Sequence, residues 1–343
     1  MEVLNYEFES SFNKNYSMLA KKIFNRLSEN SRVSISDLAK EFGVSRHTII
    51  VKLRSLEKEL GIAYTLEFNE DKLGLINPHL ILVKFDRKPD YSEIKALLSR
   101  FKIPQFAAVV RGSYDMVIYA NAVSRDDYVH WDKGMQTLLA KYGLHWQSSE
   151  VAHRQLGFFP IRNDLLEELN LPEKYKQILL LLNSNSRISF SDLSRKLGVH
   201  INTIAYTFKK MLEMNYIKRF TAVATSSMPL AISAIFGKYT ISSSFEEDAV
   251  KERKALMSDD EYPIISRYVF TSQLIGSYDW FSIGIFDNEQ VAKRQHLQYY
   301  KKVMANDKVE AKFGIVERVL LGYLPLRSID TKANYDVIKW VLE

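Results

Sequence analysis

The chain has 343 residues, 46% of them hydrophobic, which exceeds one ordinary compact domain and suffices to bury several cores. Its net charge of +6 comes from 47 basic and 41 acidic residues, a balance that permits a nucleic-acid partner without demonstrating one. The absence of cysteine excludes disulfides, thiolate metal sites and cysteine nucleophiles. No apolar run approaches the roughly 20 residues of a membrane span, and the start lacks a signal pattern, so a cytoplasmic protein without a membrane partner is expected.

A polar arm of residues 1–15 precedes the first predicted unit, residues 16–74. Apolar residues recur three or four positions apart between positions 19 and 27, which is typical of an amphipathic helix. A short second helix is expected after a cap at Ser36-Asp37, and Gly43 should end it. Glycine suits that place because a tight turn between crossed helices needs a positive φ. The unit is therefore predicted to be a helix-turn-helix, with Ser45 capping its last helix.

The same pattern returns 155 positions later. Between residues 31–49 and 186–204, ten of nineteen positions are identical. A second helix-turn-helix is accordingly predicted for residues 174–226, and the chain is interpreted as one module used twice. Each unit ends in a short predicted strand, at residues 63–68 and 218–223, which is expected to fold locally as the hairpin of a wing.

A different module follows each helix-turn-helix. Residues 75–162 predict strands and helices in the order βαββαβ, typical of a ferredoxin-like sheet with two helices on one face. Residues 227–327 repeat this order, with a helix at 246–257 and an added acidic stretch at 258–261. Residues 163–173 are expected to be a linker and residues 328–343 a tail. The fold class is therefore α+β, with winged helix-turn-helix and ferredoxin-like domains in tandem.

Both ferredoxin-like modules carry the same four-residue turn between their second and third strands, Gly112-Ser113-Tyr114-Asp115 and Gly276-Ser277-Tyr278-Asp279. A helix-turn-helix followed by a βαββαβ domain with this turn resembles the Lrp/AsnC family of "feast/famine" transcription regulators, although the tandem arrangement departs from that family's usual single copy. The resemblance implies binding of double-stranded DNA, pairing of the sheets as dimers, and an amino-acid-like effector held near these turns. In one chain the two modules would pair in cis as a pseudo-dimer, or chains would form a homodimer.

The DNA contacts are predicted at the recognition helices, whose first residues read base edges in the major groove. The first helix offers Ser45, Arg46, His47, Thr48 and Lys52. The second offers His200, Ile201, Asn202, Thr203, Tyr206 and Lys210, with Lys218 and Arg219 in its expected wing. Arginine reads guanine with two hydrogen bonds and asparagine reads adenine, so the two heads are expected to differ and the operator to be asymmetric.

The two Gly-Ser-Tyr-Asp turns have a structural interpretation beside the effector one. Glycine would serve a tight hairpin at Gly112 and Gly276, aspartate would bind backbone amides at Asp115 and Asp279, and the tyrosines would pack on the sheet.

Neither a Gly-x-Gly-x-x-Gly nor a Walker-type loop nor a His-Glu-x-x-His motif occurs, so catalytic residues, metals and cofactors are not predicted. Two alternatives to a specific regulator remain. One is a fused enzyme resembling sirohaem decarboxylases, which are built from related chains. The other is an architectural protein that bridges DNA without choosing an operator.

Overall fold

The computed structural model of the protein describes residues 17–76, 78–225, 231–239, 268–286, 288–303 and 309–324. The predicted arm, the tail, the helix at 246–257 and the acidic stretch at 258–261 lie outside these residues. The first head consists of α1 (Met18–Glu29), α2 (Ile35–Glu41), α3 (Arg46–Leu60) and β1 (Ile62–Phe68). The first module consists of β2 (His79–Phe85), α4 (Tyr91–Ser99), β3 (Pro104–Gly112), β4 (Met116–Ala120), α5 (Arg125–Leu139) and β5 (Leu144–Leu156).

Within the described residues the second half follows the same order, with one additional short helix, α6, at its start. Its head consists of α6 (Asn163–Leu166), α7 (Glu173–Ser184), α8 (Phe190–Leu197), α9 (Ile201–Glu213) and β6 (Ile217–Ala224). Its module contains β7 (Ala231–Tyr239), β8 (Tyr268–Gly276), β9 (Trp280–Phe286), α10 (Glu289–Val303) and β10 (Val309–Leu321). The α+β fold class and the positions of these strands and helices therefore follow the sequence prediction closely.

The N-cap of helix α2 lies two residues before the expected cap. Its N-cap is Ser34, whose hydroxyl accepts a hydrogen bond from the backbone N–H of Asp37 at 3.0 Å and donates one to the Asp37 carboxylate at 2.7 Å. In the second head Ser189 and Asp192 make the same pair. The cap predicted at Ser36-Asp37 is wrong, because the hydroxyl must precede the first helical turn to reach its free N–H groups.

The segment at 163–173 was expected to be a linker, and it is part of the second head instead. It contains α6, and the side chains of Leu165, Leu166 and Leu169 are buried in the same apolar core as Leu179 of α7. Polar residues around these leucines resemble a linker in sequence, yet three leucines on one side bury well against a neighbouring helix.

Among the residues that the structure describes, no local hairpin follows the recognition helix of either head. β1 instead pairs antiparallel with β6 of the other half, from Ile62 opposite Ala224 to Phe68 opposite Ile217, as a two-stranded sheet. The expectation that each strand folds back on its own unit is wrong. The paired strands join the two heads to each other.

Each head completes its core with the strand of the other half. Ala222 and Ala224 of β6 lie in the core of the first head, whereas Leu66 and Phe68 of β1 lie in that of the second. Hydrogen bonds follow the same exchange, since Ser28 Oγ donates to the Ala222 carbonyl at 2.9 Å. Neither head is therefore a self-contained unit.

The eight strands of the two modules close into one antiparallel barrel in the order β10-β3-β4-β2-β5-β8-β9-β7. Each module keeps the strand order of a ferredoxin-like sheet, and two new seams join them, β3 with β10 and β5 with β8. Aromatic side chains of both halves fill the interior, among them Tyr114, Phe159, Phe236 and Phe270. The two modules therefore pair in cis within this chain.

A buried ion pair links the first head to the barrel. Arg154 of β5 pairs with Glu70, which follows β1, and their side chains are 17% and 8% exposed. Glu70 also accepts hydrogen bonds from Asn121 Nδ2 at 2.8 Å and from the Tyr119 hydroxyl at 3.3 Å. Burial disfavours the charged form of Arg154, but Glu70, Tyr119 and Glu67 together raise the pKa of the arginine. Removal of one partner would leave the other charge buried and uncompensated.

Candidate nucleic-acid interface

The turns before the two recognition helices have the geometry that the sequence predicts. Gly43 and Gly198 have φ of 64° and 63°, which a residue with a side chain adopts only at a cost. Helix α3 then begins with Ser45 as its N-cap, and the hydroxyl of Ser45 accepts from the Thr48 N–H at 3.0 Å. Helix α9 has His200 as its N-cap, and the Nδ1 of His200 accepts from the Asn202 N–H at 3.2 Å. Ser45 and His200 are therefore engaged in holding the helix start.

Helix α3 presents a basic outer face. Ile49 and Leu53 are buried in the head, which turns Arg46 and His47 outward, where both are exposed. Thr48 and Lys52 lie at the border of this face and are partly exposed. The face suits a phosphate backbone and guanine edges, because arginine and lysine supply positive charge and several N–H donors.

Arg54 was missed in the sequence analysis and belongs to the same face. It is exposed, and seven residues after His47 it lies two helical turns further along on the same side. Val51, which is 49% exposed, lies between the two turns. The 3.6-residue period of the helix predicts that Arg54 and Val51 lie on the outer face, and this signal is present in the sequence.

Helix α9 presents a different outer face. Ile201, Asn202 and Tyr206 are exposed, and Tyr206 shows 63% of its surface to solvent, while Thr203 is partly covered. Two lysines at the far end share one carboxylate, since Lys210 Nζ lies 2.7 Å and Lys209 Nζ 3.9 Å from Glu213. The outer face of α9 therefore begins with one apolar, one amide and one aromatic side chain in place of arginine or lysine, and the lysines at its end are partly neutralised.

Lys218 and Arg219 are not on a wing hairpin. They lie on β6, where both contact the carboxylate of Glu67 on β1, at 3.1 Å for Lys218 and 3.4 Å for Arg219. The Glu67 side chain is only 2% exposed, so these cations compensate a buried charge in the strand pair that joins the heads.

The Gly-Ser-Tyr-Asp turns meet the opposite half of the barrel. Tyr114 is fully buried and its hydroxyl donates to the Ala234 carbonyl of β7 at 2.7 Å. Tyr278 is also buried, and its hydroxyl donates to the Gln147 side chain of β5 at 2.8 Å. Burial raises the pKa of both phenols, to about 12 for Tyr278. Each tyrosine therefore fastens its own turn to the other module.

The glycines and aspartates of these turns have matching structural roles. A side chain at Gly112 would place its Cβ 2.4 Å from the Phe313 carbonyl oxygen of β10, and one at Gly276 would lie 3.1 Å from the Ser148 oxygen. Gly112 also has a positive φ of 157° at the end of β3, where the hairpin to β4 begins, so the neighbouring strand adds a second reason for glycine to the expected one. Asp115 accepts from the Phe85 N–H at 2.8 Å.

The two serines of these turns lie at the seams between the halves, whereas Asp279 contacts β7 of its own module. The Ser113 N–H donates to the Phe313 carbonyl at 2.9 Å. Ser277 Oγ lies 3.5 Å from the Ser148 oxygen, and the Asp279 N–H donates to the Gly237 carbonyl at 2.9 Å.

An open cleft of about 390 Å³ lies beside the first turn. Its lining combines cations, carboxylates and apolar surface, namely Phe85, Arg87, Lys88, Pro89, Tyr91, Val109, Val110, Arg111, Gly112, Asp115 and Glu317. Arg111 in this wall is paired with Glu317 at 2.7 Å and with Glu289 of α10 at 2.6 Å.

Among the described residues, no three histidine, aspartate or glutamate side chains converge as they would around a metal ion. Within the same part of the chain, none of the helices has the length and apolar character to cross a membrane.

Comparison with known proteins agrees with the two heads. A family model described as winged helix-turn-helix DNA-binding matches residues 19–59 and 164–218. The HTH-type transcriptional regulator Ptr1 of Methanocaldococcus jannaschii is 31% identical over 132 residues, which are 38% of this chain and 82% of that protein. An uncharacterized HTH-type transcriptional regulator of Pyrococcus abyssi is 30% identical over 122 residues, which are 35% of this chain and 82% of that protein.

The whole chain resembles a solved structure of an enzyme. The siroheme decarboxylase NirDL superposes with a TM-score of 0.58 at 12% sequence identity, covering 95% of this chain and 100% of its own. At that identity the likeness establishes a shared two-half fold and carries no information about activity. The sequence relatives are the informative ones, because the matched span includes most of each relative. The chain belongs to the HTH-type transcriptional regulators, in agreement with the resemblance of its motifs to the Lrp/AsnC family.

Proposed function

We propose that both heads of one chain bind adjoining, unlike half-sites of a single DNA duplex, and that this chain regulates transcription as a pseudo-dimer in cis. The supporting observation is the strand pair β1–β6, which joins two recognition units within one polypeptide. A regulator that normally needs two subunits to present two heads would here present them at any protein concentration.

The outer faces of α3 and α9 support unlike half-sites. Arg46 and Arg54 favour guanine and phosphate, whereas the exposed Ile201 and Asn202 favour a thymine methyl group and adenine. We expect selection from random DNA to recover an asymmetric site with one guanine-containing and one A·T-rich half. Two identical inverted half-sites would contradict the proposal.

Replacement of Arg46 tests the first head directly. Arg46→Ala should weaken binding to the selected site by about 1–3 kcal/mol, because a bidentate base contact is lost. Affinity for random DNA should change much less. Fluorescence anisotropy on both duplexes measures the difference, and Arg100→Ala, which removes an exposed arginine from the end of α4, is the charge-matched control. Equal losses on both duplexes would make Arg46 a phosphate contact, and unchanged binding would remove it from the interface.

Salt dependence separates specific regulation from the architectural alternative. A specific regulator keeps a large affinity ratio between operator and random DNA as salt rises, whereas a bridging protein shows flat affinity across sequences and a steep salt slope. A footprint on the gene's own promoter across a salt series provides this comparison.

The open cleft beside Gly112 to Asp115 is the place where we propose a small amino-acid-like effector binds. Arg87 and Lys88 would face a carboxylate, and Asp115 and Glu317 an ammonium group, which suits a zwitterion. Calorimetric titration with the twenty amino acids, with and without operator DNA, tests this site. Arg87→Ala should abolish any binding found, and an unaltered isotherm would place the ligand elsewhere.

The enzyme alternative is favoured by one observation, the whole-chain likeness to NirDL. We propose that this chain is a regulator and not a decarboxylase, because its sequence relatives are regulators. Titration with an iron tetrapyrrole while the absorbance spectrum is followed should give no saturable shift. A saturable shift at one equivalent per chain would favour the enzyme.

A further inference from the structure

The two heads meet around a pair of serines at equivalent places of the repeat. Ser31 Oγ and Ser186 Oγ lie 2.6 Å apart, and both residues are fully buried. Each backbone N–H donates to the opposite strand at 3.0 Å, that of Ser31 to Phe220 and that of Ser186 to Tyr64. These reciprocal contacts mark an approximate two-fold axis between the heads.

The arginines that follow these serines cross the axis. Arg32 donates from one guanidinium nitrogen to the Ser186 carbonyl at 2.7 Å and to the Ile188 carbonyl at 3.2 Å. Arg187 donates to the Ser31 carbonyl at 2.6 Å. Each arginine therefore holds the loop that precedes the second helix of the opposite head.

The surroundings of the two arginines differ. Arg32 lies among three aromatic rings of the second head, 5.5 Å from the centroid of Phe190, 5.4 Å from Phe208 and 5.6 Å from Phe220. We call these three residues the phenylalanine box; the rings also contact one another. Arg187 lies 5.3 Å from a single ring, Tyr64.

The repeat explains why the box exists on one side only. Phe190 and Phe208 occupy the places that Ile35 and Leu53 hold in the first head. An aliphatic side chain of similar volume fills the core equally well, but it does not attract a cation, whereas an aromatic face does. Phe208 is on the recognition helix α9 itself, so Arg32 contacts the reading element of the other head directly.

We propose that Arg32 and the phenylalanine box set the position of α9 relative to the first head and thereby determine the half-site spacing that this protein accepts. This inference rests on the proposed function for its DNA consequence, while the positioning itself is a property of the free protein. Arg32 acts as a positioning residue, because its hydrogen bonds and ring contacts lie between the heads.

The positioning can be measured without DNA. Because the chain has no cysteine, Lys58→Cys on α3 and Lys209→Cys on α9 give two unique, exposed sites for spin labels. Pulsed electron–electron double resonance should give one narrow distribution of the distance between the two labels in the chain that carries no other substitution. Arg32→Ala should broaden or shift it, and Arg187→Ala should change it less. The same narrow distribution in Arg32→Ala would overturn the inference.

A spacer series then measures the consequence. Duplexes carrying the two selected half-sites at spacings that vary by single base pairs are compared with a duplex carrying one half-site. The unaltered chain should prefer one spacing by about tenfold or more, and Arg32→Ala should reduce this preference to about threefold or less. Its affinity for the single half-site should stay the same. An unchanged preference in the variant would contradict the inference and leave the proposed function standing.

Two further variants guard against a folding artefact. The double variant Phe190→Ile, Phe208→Leu gives the second head the side chains that already pack at the equivalent places of the first head. It should relax the spacing preference as Arg32→Ala does. Arg32→Lys keeps the charge at the box but not the planar donor pair, and should fall between. If the unaltered chain binds no two-site duplex more tightly than a single half-site, the proposed function is wrong. The distances between the spin labels would still show whether Arg32 positions α9.

Discussion

His296 shows at the scale of one residue what burial does to a titratable group. It lies on α10 with 2% of its surface exposed, packed against Phe286 and Phe313, and its Nε2 is 3.0 Å from Ser233 Oγ. Burial lowers the pKa of His296 to about 3 from an ordinary value of 6.5. Between these two values the unfolded chain binds a proton that the folded chain does not. Stability contributed by the neutral histidine is therefore complete above pH 6.5 and falls as the pH decreases through that window.

We expect the free energy of unfolding to decrease by about 1.4 kcal/mol per pH unit below pH 6 through this residue alone. Urea unfolding at pH 7, 6 and 5 measures the slope before most carboxylates titrate. His296→Gln should flatten it, whereas His130→Gln, an exposed histidine on α5, should leave it as it is. Equal slopes in all three proteins would show that His296 is protonated in the folded state.

At the scale of elements, the seam between β3 and β10 controls which residues the turn tolerates. A Cβ at Gly112 would approach the Phe313 oxygen to 2.4 Å, whereas one at Gly134 of α5 would meet nothing within 4 Å. Gly112→Ala should therefore cost about 1–3 kcal/mol as an overpacked contact. Gly134→Ala should stabilise by about 0.5–1 kcal/mol, since alanine favours a helix. Thermal unfolding of the two variants measures whether the free energy of unfolding changes in opposite directions. Stabilisation by both substitutions would show that β3 and β10 move apart at little cost.

At the scale of the whole molecule, the shared cores predict one cooperative unfolding unit. Phe236 of β7 is fully buried and its ring lies 5.6 Å from that of Tyr114 in the other module. Phe236→Ala should cost about 3–5 kcal/mol and lower hydrogen-exchange protection in β3 and β4 as much as in β7. Ile275→Ala, at a side chain 64% exposed on β8, should change stability little. Protection retained in the first module alone would mean that the halves unfold separately.

The sequence by itself determined the local structure and the repeat. Helix period, glycine turns and alternating strands are short-range signals, so both helix-turn-helix units, the first βαββαβ order and the described strands and helix of the second module were predictable, with boundaries near those observed. The exposed residues predicted at the starts of α3 and α9 followed from the same period, whereas Val51 and Arg54, further along the outer face of α3, were missed.

Only the tertiary structure decided which elements are partners. A strand such as β1 has the same alternation of apolar and polar residues whether it pairs with a local hairpin or with β6 of the other half. The backbone groups that pair are the same in every strand, so the sequence of β1 does not specify its partner. For the same reason the sequence pointed to a wing for Lys218 and Arg219, and to a linker for the leucines that complete the second head. The arginine crossing between Ser31 and Ser186 likewise exists only because two distant copies fold against each other.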